Sequence, residues 1–257
     1  MDLFADTGVA LLGGTAGVGL ESACRFAELG ARGLALMGRN AERGAQACDA
    51  VRARAAGANV HFVSVDGSDP VSAQQAAARA WELLGGVEVL VTSTGPSRLP
   101  RLLHTIPIED VSPTLDELVL PPLHMMAALL PLMRERGRGA VVNVASDAAK
   151  VATPGESLIG AAMAAIVMFS RAAALEAKRE GVRINVVTPS LIADTPGAEM
   201  LFGDPFSAKL FEKAGAMASL GVPGPGDLAD TILFLAGPGA KRITGQALSV
   251  NGGISAA

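Results

Sequence analysis

Short apolar runs alternate with longer stretches in which apolar residues return every three or four positions. The runs at 8–12, 33–37, 60–65, 87–92, 139–145, 182–188 and 246–250 are too short for stable helices. Glycine or polar residues close them, so each reads as a buried strand. Helical periodicity fills the gaps at 18–29, 41–56, 71–84, 115–136, 156–180 and 226–235. Strict β-α alternation predicts an α/β fold, a Rossmann-like doubly wound parallel sheet with helices on both faces. No linker, repeat or low-complexity tract interrupts it, so 1–257 reads as one domain. The one long piece without a pattern is 193–222, which carries Met200, Leu201, Phe202, Phe206, Leu210, Phe211 and Met217.

Composition narrows the function classes. A chain of 257 residues is ample for one full core. Half of it is hydrophobic and 18% charged, an apolar balance that implies surface hidden in an oligomer. A net charge of −4 gives no electrostatic reason to bind nucleic acid or an anionic membrane. Arg134, Arg136 and Arg138, interleaved with Glu135, read as a solvated helix end. The start, through Asp6, lacks the basic region of a signal peptide. The uncharged stretches 118–133 and 157–170 fall short of a membrane span, and the first contains Pro121, Pro122 and Pro131. Cys24 and Cys48 have no metal-ligand spacing and read as buried or idle thiols in a reducing cytoplasm. His61, His104 and His124 form no ligand motif.

Gly13, Gly17 and Gly19 stand where the first strand turns into the first helix. Glycine there permits the tight turn and lets a pyrophosphate approach the backbone, while the helix offers free N–H groups and its positive end. Arg39 follows the second strand, where an acidic residue favours NAD and an arginine pairs with the 2′-phosphate of NADP. A solvated charge after a strand is the plainer account of the same residue.

Larger motifs surround this loop: Leu12-Gly13-Gly14-Thr15-Ala16-Gly17-Val18-Gly19, Asn143-Val144-Ala145-Ser146, Arg183-Ile184-Asn185-Val186-Val187-Thr188-Pro189, Ile243-Thr244-Gly245-Gln246 and Val250-Asn251-Gly252-Gly253. Together they resemble the short-chain dehydrogenase/reductase family, and the likeness spans the chain. It implies an NADP(H) or NAD(H) site formed by Gly13, Thr15, Gly17, Val18, Gly19, Arg39, Asp66, Gly95 and Pro189, with NADP(H) favoured through Arg39. It makes 193–222 a lid over the substrate, its apolar side chains facing a greasy ligand or a partner. It also implies a substrate-orienting serine, Ser146. The family's acid/base tyrosine falls by spacing at Ile159 and its lysine at Met163, and the water-holding asparagine falls at Leu118.

Here the chain departs from the pattern, for it contains no tyrosine at all. A tyrosine titrates near ~10 and needs the lysine's charge to work at neutral pH; isoleucine and methionine move no proton. The cofactor region departs too. Thr92-Ser93-Thr94-Gly95 replaces the family's Asn-Asn-Ala-Gly, Pro189-Ser190 replaces Pro-Gly, Asp194 stands where a threonine contacts the cofactor, with Thr195 one place later, and Leu12 replaces a polar residue. The nucleotide site is therefore either working or vestigial. Lys150 reads as surface charge. Residues 158–169 are apolar or small throughout, which predicts a helix buried on all sides. In the family this helix packs on its twin from another subunit, and a charge at Ala162 is expected to break such an assembly.

Heteromeric family members pair a degenerate subunit with an active one, one such pair acting on an acyl-CoA, and this chain resembles the non-catalytic partner in kind. The expectation is a cytoplasmic pseudoenzyme that joins a homologous catalytic subunit, itself, or both, as dimer or tetramer. Two alternatives stay open: an active NADP-dependent reductase with an unusual proton donor, and a non-redox ligand-binding or lyase-type relative.

Overall fold

The computed structural model describes residues 3–95 and 97–257; Met1 and Asp2 of the N-terminal segment lie outside the described residues. Seven strands form one sheet: β1 (Gly8–Leu12), β2 (Gly33–Gly38), β3 (Val60–Ser64), β4 (Val89–Thr92), β5 (Gly139–Val144), β6 (Val182–Thr188) and β7 (Ala247–Ser249). Their order is β3-β2-β1-β4-β5-β6-β7, and every pairing is parallel. The inner strands are buried on both faces, which is why they read as unbroken apolar runs rather than alternations.

Helices α1 (Gly17–Glu28), α2 (Ala41–Arg54) and α8 (Pro225–Ala236) cover one face. Phe26, Val51 and Leu228 pack there on Leu11, Leu36 and Val91. On the other face lie α3 (Pro70–Leu84), α4 (Val111–Arg136) and α5 (Ser157–Ala177), where Met125, Leu129 and Ala174 meet Ala10, Leu90 and Val141. Behind β4 and β5 a buried polar chain fixes α4 and α5 on the sheet. Thr92 Oγ1 donates to Asn143 Oδ1 at 2.7 Å, and Asn143 Nδ2 donates to Ser170 Oγ at 2.9 Å and to Met126 Sδ.

Most boundaries agree with the sequence reading to within two residues; three readings change. First, 193–222 is not irregular. It folds into α6 (Pro196–Phe202) and α7 (Pro205–Met217), started by Thr195-Pro196 and Asp204-Pro205. Each pair is an N-cap followed by proline at the first helical position, a start signal that the missing periodicity masked. Second, the apolar helices do not fall short of a membrane span: α4, continuous through its prolines as the 115–136 reading has it, is 26 residues long, and α5 has 21. With their flanking turns both are long and apolar enough to cross a membrane by length and composition, yet each spends its inner face on the sheet. Third, of the burial on all sides read for α5 this chain supplies one side: Met168 is 62% and Leu175 64% exposed, because the sheet covers only the opposite face.

The arginines after α4 are not simply solvated either. Glu88, buried at the start of β4, accepts from the Gly8 N–H at 2.7 Å, Arg32 at 2.8 Å, Arg136 at 3.0 Å and Arg138 at 3.1 Å. Arg136 also stacks over Trp81, 5.3 Å from the ring centre. Removing the carboxylate leaves a buried N–H unpaired and three cations facing one another. Glu88→Ala is expected to cost roughly 2–3 kcal/mol, because the arginines are half in solvent. Urea unfolding monitored by circular dichroism checks it.

Candidate functional site

All strands point one way, so their C-terminal ends and the loops that follow gather along one edge. At its centre β1 and β4 part, since the chain leaves them toward opposite sides. Gly13 opens the β1–α1 turn with φ 79°, and a side chain there would strike the Ser93 carbonyl. Gly19 packs in turn on the Gly13 carbonyl. Glycine is thus dictated by close backbone approach at both places.

A cleft of about 440 Å³ lies over this turn, large enough for a small ligand. Of the residues read from sequence, Gly13, Thr15, Arg39, Asp66 and Gly95 line it together. Gly17, Val18, Gly19 and Pro189 do not. Val18 is in the core, and Pro189 is buried, its carbonyl accepting from the Asp147 N–H at 2.8 Å. The cleft also holds two residues that sequence reasoning missed, Arg43 and Glu117. Arg43 is on the first turn of α2, its N–H donating to the Asn40 cap at 2.9 Å. Its signal was available: Arg39 and Arg43 are four residues apart across a helix start. Among the described residues neither arginine has an ion-pair partner. Glu117 accepts from the Ser97 hydroxyl at 2.8 Å and its N–H at 3.2 Å, tying down the loop after β4.

Ser146 follows β5, its hydroxyl accepting from the Ala148 N–H at 3.2 Å. Beside it Asp147 is buried, and the C-terminal segment closes on its carboxylate. Ser255 Oγ donates to it at 2.6 Å, Ser249 Oγ at 3.2 Å, and Asn251 Nδ2 also bonds to it. Lys150 belongs to this cluster, correcting its reading as surface charge. Its side chain is 11% exposed, 3.6 Å from Asp147 Oδ1, and bonded to Ser249.

Ile159 and Met163, one turn apart on α5, are 8% and 4% exposed and pack with Leu118 of α4 and Ala145. Ile159 reaches a second cleft of about 480 Å³, walled by Leu99, Ile106, Leu158 and Met200, with Arg98 and Arg101 at its rim. Arg98 pairs with Asp110 at 2.8 Å. Arg101 clasps Asp204 with two bonds of 3.0 Å. The Ser207 N–H and hydroxyl, then Arg101, hold the Asp204 carboxyl down to about 2. The ring of Phe206 lies against Gly155. Together these contacts hold α6 and α7 over the cleft.

Glu156 caps α5 one turn before Ile159, and burial pushes its carboxyl up to about 6 against the opposing Thr153 hydrogen bond. A carboxylate whose folded pKa exceeds its unfolded one contributes stability fully present below about pH 4.3 and lost as pH rises through about 6. Glu156→Gln is therefore expected to match the wild type near pH 4 and to exceed it at pH 8 by up to about 2 kcal/mol, a rise in Tm of a few degrees. Differential scanning calorimetry at the two pH values checks this.

Comparison with known proteins places the architecture. The family model described as enoyl-(acyl carrier protein) reductase matches residues 13–255. The BbsC subunit of hydroxy(phenyl)methylsuccinyl-CoA dehydrogenase from Thauera aromatica is 34% identical over 93% of this chain and 90% of its own length. The inactive 2-(S)-hydroxypropyl-CoM dehydrogenase 2 of Xanthobacter autotrophicus is 32% identical over 82% of this chain and 91% of its own. Among solved structures, actinorhodin polyketide ketoreductase with NADPH superposes with a TM-score of 0.86, at 27% identity, over 97% of this chain and 98% of that one. The chain belongs to the short-chain dehydrogenase/reductase family, a family of oxidoreductases on a Rossmann-like fold.

Proposed function

We propose that this chain is a non-catalytic subunit of a heteromeric short-chain dehydrogenase, supporting an active homologous subunit that works on an acyl-CoA or related thiol-carried substrate in the cytoplasm. The observation that carries the reading is the absence of tyrosine together with Ile159, Met163 and Leu118 packed as one apolar cluster beside the cleft. A single lost catalytic group leaves its polar partners buried and unpaired. Replacement by hydrophobes throughout removes that cost, so this arrangement is a stable end point. Two relatives support the reading by name, one as a dehydrogenase subunit on a CoA substrate and one as an inactive dehydrogenase. Residues at the first cleft fit the adenosine portion of a nicotinamide cofactor: the Gly13 turn admits close approach, and Arg39 and Arg43 favour NADP(H) over NAD(H). Such a cofactor, when bound, supplies hydride chemistry; this chain supplies no tyrosine to move the accompanying proton.

The purified chain is expected to give no turnover of NAD(P)(H) with ketones or secondary alcohols, measured by absorbance of the reduced cofactor. The double variant Ile159→Tyr, Met163→Lys is expected to gain weak activity at most. Turnover by the wild type, abolished in Ser146→Ala, defeats the reading.

A specific observation favours one other reading, an active reductase with a displaced donor. Glu156, with its carboxyl near 6, titrates in the working range and stands one turn from Ile159. It predicts wild-type turnover that Glu156→Gln removes.

Association with a partner rests on α5. Ala161, Ala165, Met168, Ala172 and Leu175 follow a four-three-four-three spacing along its outer face, all left exposed by the chain itself. An apolar surface of this kind marks a contact site, and closed symmetry makes such a face self-complementary. Ala162, the position read from sequence as an assembly probe, is fully buried within the chain, so a charge there breaks the fold instead. Met168→Glu is the correct probe, being exposed. It is expected to change the stability of the chain by less than about 1 kcal/mol and to abolish co-elution with a co-expressed homologous subunit in size-exclusion chromatography with light scattering. A monomer that ignores every such homologue counts against the association.

A further inference from the structure

The cleft beside Ile159 carries polar side chains, yet the protein has already engaged each of them. Among the described residues that line it, the Ser97 hydroxyl donates to Glu117 at 2.8 Å, the Thr105 hydroxyl to the Leu102 carbonyl at 2.8 Å and the Thr114 hydroxyl to the Asp110 carbonyl at 2.6 Å. Arg98 pairs with Asp110 at 2.8 Å. Arg101 makes two bonds of 3.0 Å to Asp204 and one of 2.8 Å to the Pro100 carbonyl. Two arginines thus meet two aspartates, so these four charges balance, and the proton of each hydroxyl is spent inside the protein. A charged ligand would give up its water here without gaining an unpaired partner, which is unfavourable.

The cleft offers carbon instead. Leu99, Ile106, Pro107, Leu158, Ile159 and Met200 line it, and Ile159 is the most deeply buried of the six. Apolar surface continues outside. Leu102, Leu103 and Ile108 stand between and beside the lining residues on the loop after β4, and all three are exposed, Ile108 by 87%. Phe206, whose ring lies against Gly155 of the lining, is exposed as well. Apolar side chains gathered in and around a concavity mark a ligand site. Its 480 Å³ is about three times the roughly 150 Å³ that holds one benzene ring, room for a chain of about a dozen carbons.

We propose that this cleft binds an uncharged apolar group, a hydrocarbon chain or ring of up to about a dozen carbons with Ile159 at its base, and holds it without converting it. This deepens the non-catalytic reading and rests on it in one point, that Ile159 is a contact surface in place of a proton donor. The same apolar group can arrive as a free molecule or as the acyl end of a thioester.

Fluorescence titration of the full chain with N-phenyl-1-naphthylamine, an uncharged apolar dye, tests it, followed by displacement with straight-chain alcohols. Saturable binding is expected, and each methylene added to the alcohol should improve displacement by about two- to fourfold until the cleft is full. Decanoate should displace the dye less well than 1-decanol, because no unpaired cation awaits its carboxylate. Leu158→Glu and Met200→Glu, half-buried on two walls, each put a charge into the cleft and should weaken the dye about tenfold or more. Met200→Ala removes wall without adding charge and should weaken it about threefold. Phe234→Glu, exposed on α8 across the sheet, should leave it within about twofold. Decanoyl-CoA displacing as well as 1-decanol assigns the group to a thioester, and 1-decanol alone assigns it to a free molecule; both support the cleft. Absence of saturable binding overturns the proposal, as does decanoate displacing as well as 1-decanol, or full affinity in all three cleft variants. Each of these results leaves the non-catalytic reading standing. Turnover by the isolated chain, conversely, removes that reading without touching these titrations.

Discussion

The structure depends on one constraint: a wholly parallel sheet has to be covered on both faces. Parallel strands need crossovers, crossovers are helices, and helices lie on both faces to bury both. The inner strands are then apolar on either side, and the C-terminal ends of all seven collect at one edge. The glycine turn, the Ser146 loop, the Asp147 cluster and the lid helices sit at that edge for this reason alone. Even the buried polar chain Thr92–Asn143–Ser170 follows from it, because a polar residue on a strand covered from both sides has to be paired within the protein.

The region around Ile159 is held together by apolar contact, without a hydrogen-bonded set. Ile159, Met163 and Leu118 come from two helices, yet they pack as a single cluster. Apolar contact needs shape and little direction, so it tolerates wholesale replacement where a hydrogen-bonded set does not. The polar groups that remain nearby have been put to structural use. Ser146 caps a turn, while Asp147 and Lys150 tie β7 and the C-terminal segment to the loop after β5.

The lid and the outer face of α5 answer the two surfaces that the sheet cannot cover. Helices α6 and α7 are held by directional contacts, the Arg101–Asp204 pair and the Thr195 cap. The face of α5 is held by nothing in this chain. Its small residues at heptad-like spacing leave room for another helix to approach closely.

The sequence by itself determined the architecture. Apolar runs of strand length, glycines at the first turn and helical periodicity between them were enough for the α/β fold, because burial and turn geometry act on neighbouring residues and so leave a local pattern. Gly13 and Arg39 were legible from their own turn and strand end, Thr15, Asp66 and Gly95 from the family resemblance, and the five line one cleft. Tertiary structure alone decided the rest. It turned 193–222 into two helices, left half of α5 uncovered, drew Arg136 and Arg138 to Glu88, and buried Lys150 against Asp147. It also set Thr195 beside Gly17, 178 positions away along the chain. Those contacts depend on which surfaces meet after the sheet has formed, and the distance between residues in space is not written in their spacing along the chain.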